Sequence, residues 1–114
     1  MKKILLLSYI ATAVLIFSNC SASRKAAAEP KTTYLTNIQT LVAEKCTPCH
    51  IPSKRGNKKA YDNYANLQTD IDEILRRVQL NPGDKGFMPF KKPKLSDSTI
   101  AVFKEWKADG LLEK

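Results

Sequence analysis

The apolar positions of this chain fall into periodic stretches over its second part and one continuous run at its start. Tyr34, Ile38, Leu41 and Val42 recur at helical spacing and share one face. Thr32 or Thr33 can cap that helix, which runs into Cys46. A second helix is predicted from the capping residue Thr69, with Ile71, Ile74, Leu75 and Val78 as its buried stripe. Asp70, Asp72 and Glu73 suit the positive end of its dipole, and Arg76 and Arg77 the negative end. Asn81-Pro82-Gly83 ends it. A third helix follows Ser96, with Leu95 and Ile100 placed as a hydrophobic staple. Ile100, Phe103 and Trp106 repeat at every third position, and Gly110 stands where a C-terminal cap belongs. The segment Tyr61 to Asn66 would add a short fourth helix. No stretch alternates as a half-buried strand does, so the predicted class is all-α.

The continuous run, Ile4 to Phe17, is broken only by Ser8, Tyr9 and Thr12 and follows Lys2 and Lys3. It is short of the roughly 20 apolar residues of a membrane span and reads as an export signal. Phe17-Ser18-Asn19-Cys20 resembles the lipobox of bacterial lipoproteins, where the signal is cut before the cysteine and its thiol is acylated. Phe17 and Asn19 depart from the strictest form of that pattern, and the alternative is an ordinary cleaved signal with an incidental Cys20. The resemblance implies a signal peptide over 1–19 and a lipidated Cys20 at the membrane. It also implies a periplasmic-side location, with inner or outer membrane left open. Each acyl methylene would contribute about 0.8 kcal/mol of anchoring. Ser21 to Thr33 is polar, alanine-rich and carries Pro30, which suits a tether, so the folded domain is expected over 34–114.

Composition narrows the picture further. With 114 residues, 26% charged and 43% hydrophobic, the chain holds one small domain rather than a large multidomain enzyme or a disordered basic tail. Four Gly argue against a glycine-rich phosphate loop, and one His excludes any site that needs two. The formal charge is +8, and loss of Lys2 and Lys3 with the signal lowers it by two, to +6. A positive balance favours anionic partners, and export argues against nucleic acid. So small a domain has a thin core and usually needs a staple, a metal or a cofactor. The polar stretches 51–59 and 81–94 are also long for idle loops. Both features ask for an additional apolar body inside.

Cys46-Thr47-Pro48-Cys49-His50 supplies the chemistry for one. The pattern C-x-x-C-H is the attachment site of c-type haem. Two thiols add across two vinyl groups on one side of the macrocycle, so they must lie close in sequence. A histidine directly after them reaches the iron. Its second ring nitrogen should donate to a backbone carbonyl, for which Pro52 is a nearby candidate. Structural zinc wants four ligands, and beyond Cys46, Cys49 and His50 the mature domain has no further Cys or His. A thioredoxin-like C-x-x-C needs a βαβ context, and a disulfide across two residues would tie off little chain.

The opposite face of the iron calls for a second ligand. Met88, in Gly86-Phe87-Met88-Pro89-Phe90, is the one methionine outside the signal. A thioether there raises the reduction potential and favours electron transfer over oxygen chemistry. Pro89 fixes the backbone after it, and Phe87 and Phe90 can wall the pocket from water. The bland alternative is a methionine filling a core gap.

Taken together, the chain resembles a small class I, monohaem c-type cytochrome over about residues 34 to 112. The resemblance rests on the helix leading into Cys46-Thr47-Pro48-Cys49-His50, the Met88-Pro89 loop and the aromatic C-terminal helix. It implies an all-α, cytochrome c-like domain wrapped around one covalent haem c, with Cys46 and Cys49 as thioethers and His50 and Met88 as axial ligands. It also implies that the first and last helices cross near one haem edge, with Val42 and Phe103 or Trp106 in contact with it. Many members of the family carry a small residue eight before the first cysteine, and this chain has Ile38. Arg76, Arg77, Tyr61, Tyr64 and Trp106 are candidates for the propionates.

The expected function is electron transfer by a membrane-tethered carrier, not catalysis, since no positioned acid, base or nucleophile is visible. Lys45, Lys54, Arg55, Lys58, Lys59, Lys85, Lys91, Lys92 and Lys94 lie in or beside the expected haem-wrapping loops. They are read either as a solvated surface or as a ring that steers an acidic redox partner protein. The chain would act as a monomer or as the haem subunit of a respiratory complex. The alternatives are a haem-based gas sensor with a labile sixth ligand, a small peroxidase, and a thiol–disulfide protein without haem.

Overall fold

The computed structural model describes residues 29–114. The expected signal over 1–19, Cys20 and most of the tether lie outside the described residues. Three α-helices carry the fold: α1 (Gln39–Lys45), α2 (Tyr64–Gln79) and α3 (Asp97–Ala108). A π-helical turn, Tyr34–Ile38, precedes α1, and a short 3-10 turn, Pro52–Lys54, follows the cysteine pair. Among the described residues there is no strand, and no helix is long and apolar enough to cross a membrane. The class is all-α.

The first helical segment begins where its cap predicts. Thr33 accepts from the Thr36 amide, and the amides of Asn37 and Ile38 both reach the Thr33 carbonyl, at 3.0 and 3.3 Å. The Ile38 hydrogen bond to this shared carbonyl opens the first turn to π geometry, in which Tyr34 and Ile38 are both buried. The second helix starts earlier than its charge pattern predicts. Asn63, not Thr69, is the cap, and its side chain accepts from the Asn66 amide at 3.0 Å. Thr69 sits inside α2 and donates to the Ala65 carbonyl at 2.8 Å, the way a mid-helix threonine satisfies its hydroxyl. Leu67 joins the apolar stripe four residues before Ile71, so the expected short helix over 61–66 and the helix after Thr69 merge into one. In α3, Ser96 caps as expected, accepting from the Thr99 amide, and Gly110 takes a left-handed φ of 93° just past its end.

The helices meet on the side chains their periodicity marks. Helix α3 packs against α2 and against the π-turn. Ile38, Val42, Leu67, Phe103 and Trp106 are the largest fully buried side chains. Ile38 therefore fills the crossing at the position where a small residue is common in the resembled family. Tyr34, Tyr64 and Trp106 cluster with ring centroids 5.7 to 6.4 Å apart. The C-terminal residues fold back over this cluster. The Trp106 indole donates to the Leu112 carbonyl and the Tyr64 hydroxyl to that of Leu111. The amides of Tyr34 and Leu35 reach the carbonyls of Leu112 and Glu113. Packing extends back to Thr32, which is buried and donates its amide to Asp109. This aromatic knot holds the first and last described residues together, and the 46–59 and 84–95 segments meet elsewhere.

Candidate functional site

Those two segments and one face of α2 line a half-open cavity of about 590 Å³ with a mostly apolar wall. That volume lies within the ordinary range of roughly 300–1,000 Å³ for a ligand site. Cys46, Cys49, His50 and Met88 all line it, together with Tyr61, Ile74, Val78 and Leu95. The structure thus brings the C-x-x-C-H turn and the distant methionine to one space.

Each wall has a local cause. The Cys46 amide ends α1 by donating to Val42, and the His50 amide donates to the Cys46 carbonyl, so the cysteine pair sits on one more helical turn. Both cysteines are free thiols; Cys49 is exposed and Cys46 is half-buried. Burial pushes the Cys46 thiol up to about 11, with the Lys92 charge opposing. Such a thiol is protonated at neutral pH, unlike the depressed nucleophilic cysteine of a disulfide exchanger.

The chain after His50 then doubles back. Arg55 takes a left-handed φ of 64°, and the Gly56 amide reaches the Ile51 carbonyl at 3.1 Å. A Cβ on Gly56 would lie 2.5 Å from the Pro48 carbonyl oxygen and 2.7 Å from that of Cys49. Only glycine fits so close an approach. The return brings the Lys59 carbonyl to His50 Nδ1 at 2.7 Å. The Tyr61 amide donates to the His50 carbonyl at 2.9 Å, and the Tyr61 ring stacks on the imidazole at 4.5 Å and 14°. Nδ1 is therefore the donor to Lys59 and the Nε2 lone pair is left free, the tautomer an axial ligand would need. The expected candidate for that carbonyl, Pro52, is instead spent on the Arg55 amide.

Met88 enters from the loop after α2, where its amide donates to the Arg77 carbonyl at 3.3 Å. Lys92 straps this loop to the cysteine turn, donating from Nζ to the Thr47 carbonyl at 2.6 Å. The two phenylalanines divide their roles. Phe87 is buried and does not line the cavity, whereas Phe90 lines it and is 65% exposed.

The polar rim sorts the propionate candidates. Arg77 and Tyr61 line the cavity; Arg76, Tyr64 and Trp106 do not. Tyr64 and Trp106 spend their polar atoms on the C-terminal carbonyls, and Arg76 pairs with Glu73 through two bonds of 2.7 Å. Arg76 and Arg77 together hold the Glu73 carboxyl down to about 2. Of the basic residues expected at this edge, Lys45, Lys58, Lys59 and Lys92 line the cavity. Lys91 lies over the Phe90 ring, 5.4 Å from its centroid, while Lys94 bonds the Gln79 carbonyl.

A covalently bound haem fits this donor set. Two free thiols, an imidazole already fixed in the right tautomer, a thioether and an apolar wall share one cavity. No three His, Cys, Asp or Glu side chains among the described residues converge as a metal cluster would require. Compared with family models, curated proteins and solved structures, the chain matches none.

Proposed function

We propose that this protein is a monohaem c-type cytochrome that carries electrons while tethered to the periplasmic side of a membrane through Cys20. The single observation that supports it best is the convergence of Cys46, Cys49, His50 and Met88 on one apolar cavity, with His50 Nδ1 already engaged by Lys59. Cys46 and Cys49 would hold the macrocycle as thioethers, and His50 Nε2 and the Met88 sulfur would hold the iron. When bound, haem supplies a one-electron couple. The chain's own residues keep that couple confined. Lys59 and Tyr61 fix the imidazole plane. Ile74, Val78 and Leu95 exclude water, and the Arg77 carbonyl and Lys92 hold the Met88 loop in place. With Met88 as a ligand, the iron would keep no open position for a substrate or a gas, so transfer rather than catalysis is the fitting activity.

Carbon monoxide binding separates this from a gas-binding module. The reduced wild-type protein should leave its visible spectrum unchanged under carbon monoxide. Met88→Ala should bind the gas and titrate at a lower potential. Ready gas binding by the wild type would favour the sensor reading.

A further inference from the structure

The residues that hold His50 are themselves held, and by one carboxylate. Asp70 accepts from Lys59 Nζ at 2.8 Å and from the Tyr61 hydroxyl at 2.9 Å. Lys59 gives the carbonyl that His50 Nδ1 contacts, and Tyr61 gives the stacked ring and the amide that donates to the His50 carbonyl. Asp70 is on α2, whose stripe is locked into the core by Leu67 and Ile71, at 0% and 3% exposure. Asp70 thereby references the segment 59–61 to a rigid helix at two points, one on each side of Ala60, whose carbonyl accepts from Asn66 Nδ2 of the same helix at 2.9 Å. Asp70 is itself one-quarter exposed, with 23% of its side chain open, so its charge is felt in the cavity rather than screened away entirely.

We infer that Asp70 is a positioning residue that sets the orientation and donor strength of the His50 imidazole, and through it the reduction potential. This rests on the haem reading above. Groups that hydrogen-bond the outer nitrogen of a ligating histidine tune the metal, and their loss typically costs about 10–100-fold in metal affinity or activity. Two effects of removing the Asp70 charge act in the same direction. A looser Lys59 carbonyl makes the imidazole a weaker donor, and a lost anion stabilises the oxidised iron less. Both favour the reduced state.

The test is a redox titration of the haem-loaded full chain. Asp70→Asn should move the reduction equilibrium about tenfold toward the reduced form, a positive shift of about 59 mV for one electron. Asp70→Glu should recover part of it. Asp72→Asn is the control: it removes the same charge from the same helix, but Asp72 pairs with Lys107 away from the cavity. Equal shifts in the two Asn variants would reduce Asp70 to a surface charge and overturn the inference, as would no shift in Asp70→Asn. Should Asp70→Asn yield no haem protein, Tyr61→Phe decides. It keeps the charge and the stacked ring and removes one bond, so a smaller positive shift supports the inference and an unchanged potential overturns it. A wild-type chain that carries no haem would instead bring down the underlying reading.

Discussion

Gly56 controls whether the chain after His50 can return to it. Its α-carbon faces three backbone atoms of the cysteine turn, and a methyl group there would meet them at 2.5 to 2.8 Å. Backbone cannot swing aside as a flexible side chain can. Gly56→Ala should therefore cost about 1–3 kcal/mol through overpacking and pull the Lys59 carbonyl off His50. The check is the yield of haem-loaded protein together with its denaturant midpoint. Gly83→Ala is the comparison, since Gly83 has left-handed φ but open space around it, and it should keep full haem loading. Equal loading in both variants would contradict this role for Gly56. At this scale the sequence singled out Cys46, Cys49, His50 and Met88 by side-chain type and spacing, and the structure brings these four to one cavity. It marked Lys59 only for its charge and did not show the backbone carbonyl it offers His50, which any residue could offer. Asp70 was visible but misassigned to the helix dipole, because Thr69 resembles a cap.

The elements show why that misreading arose. Polar residues that cap helices also tolerate helix interiors when they can bond the preceding turn, and Thr69 does so through Ala65. The stripe from Leu67 through Ile71, Leu75 and Val78 is the stronger signal, and it runs through Thr69 without a break. Because Asn63 caps the helix, Asn63→Ala should lower stability by about 1 kcal/mol, measured by urea unfolding. Thr69→Ala, in the helix interior, should be close to neutral. A reversal of that order would place the helix start at Thr69. The last helix needed no such correction. Ser96, the spacing of Ile100, Phe103 and Trp106, and Gly110 are local signals that agree with one another, and the structure obeys all of them. The role of the C-terminal residues beyond Gly110 was not legible. Their carbonyls satisfy Trp106 six residues back and Tyr64 far along the chain, pairings that no periodicity encodes.

At the scale of the molecule, charge and apolar surface coincide. Lys45, Lys58, Lys59 and Lys92 border the cavity, and the exposed Phe90 stands among them with Lys91 over its ring. An acidic redox partner would be drawn to this edge, where a one-electron centre would be nearest to solvent. The double variant Lys58→Glu/Lys91→Glu should slow reduction by such a partner about tenfold at low salt. The difference should fade once the Debye length falls well below about 10 Å. A rate insensitive to both charge reversal and salt would remove the steering role. The whole account, however, stands on the cofactor. It is tested most directly by haem-dependent peroxidase staining of a denaturing gel, with the full chain expressed in a host that carries the haem-attachment machinery. The wild type should give a stained band at its own mass, and Cys46→Ala/Cys49→Ala should give protein of the same mass without stain. A wild-type chain that is exported and folded yet never stains would contradict the account.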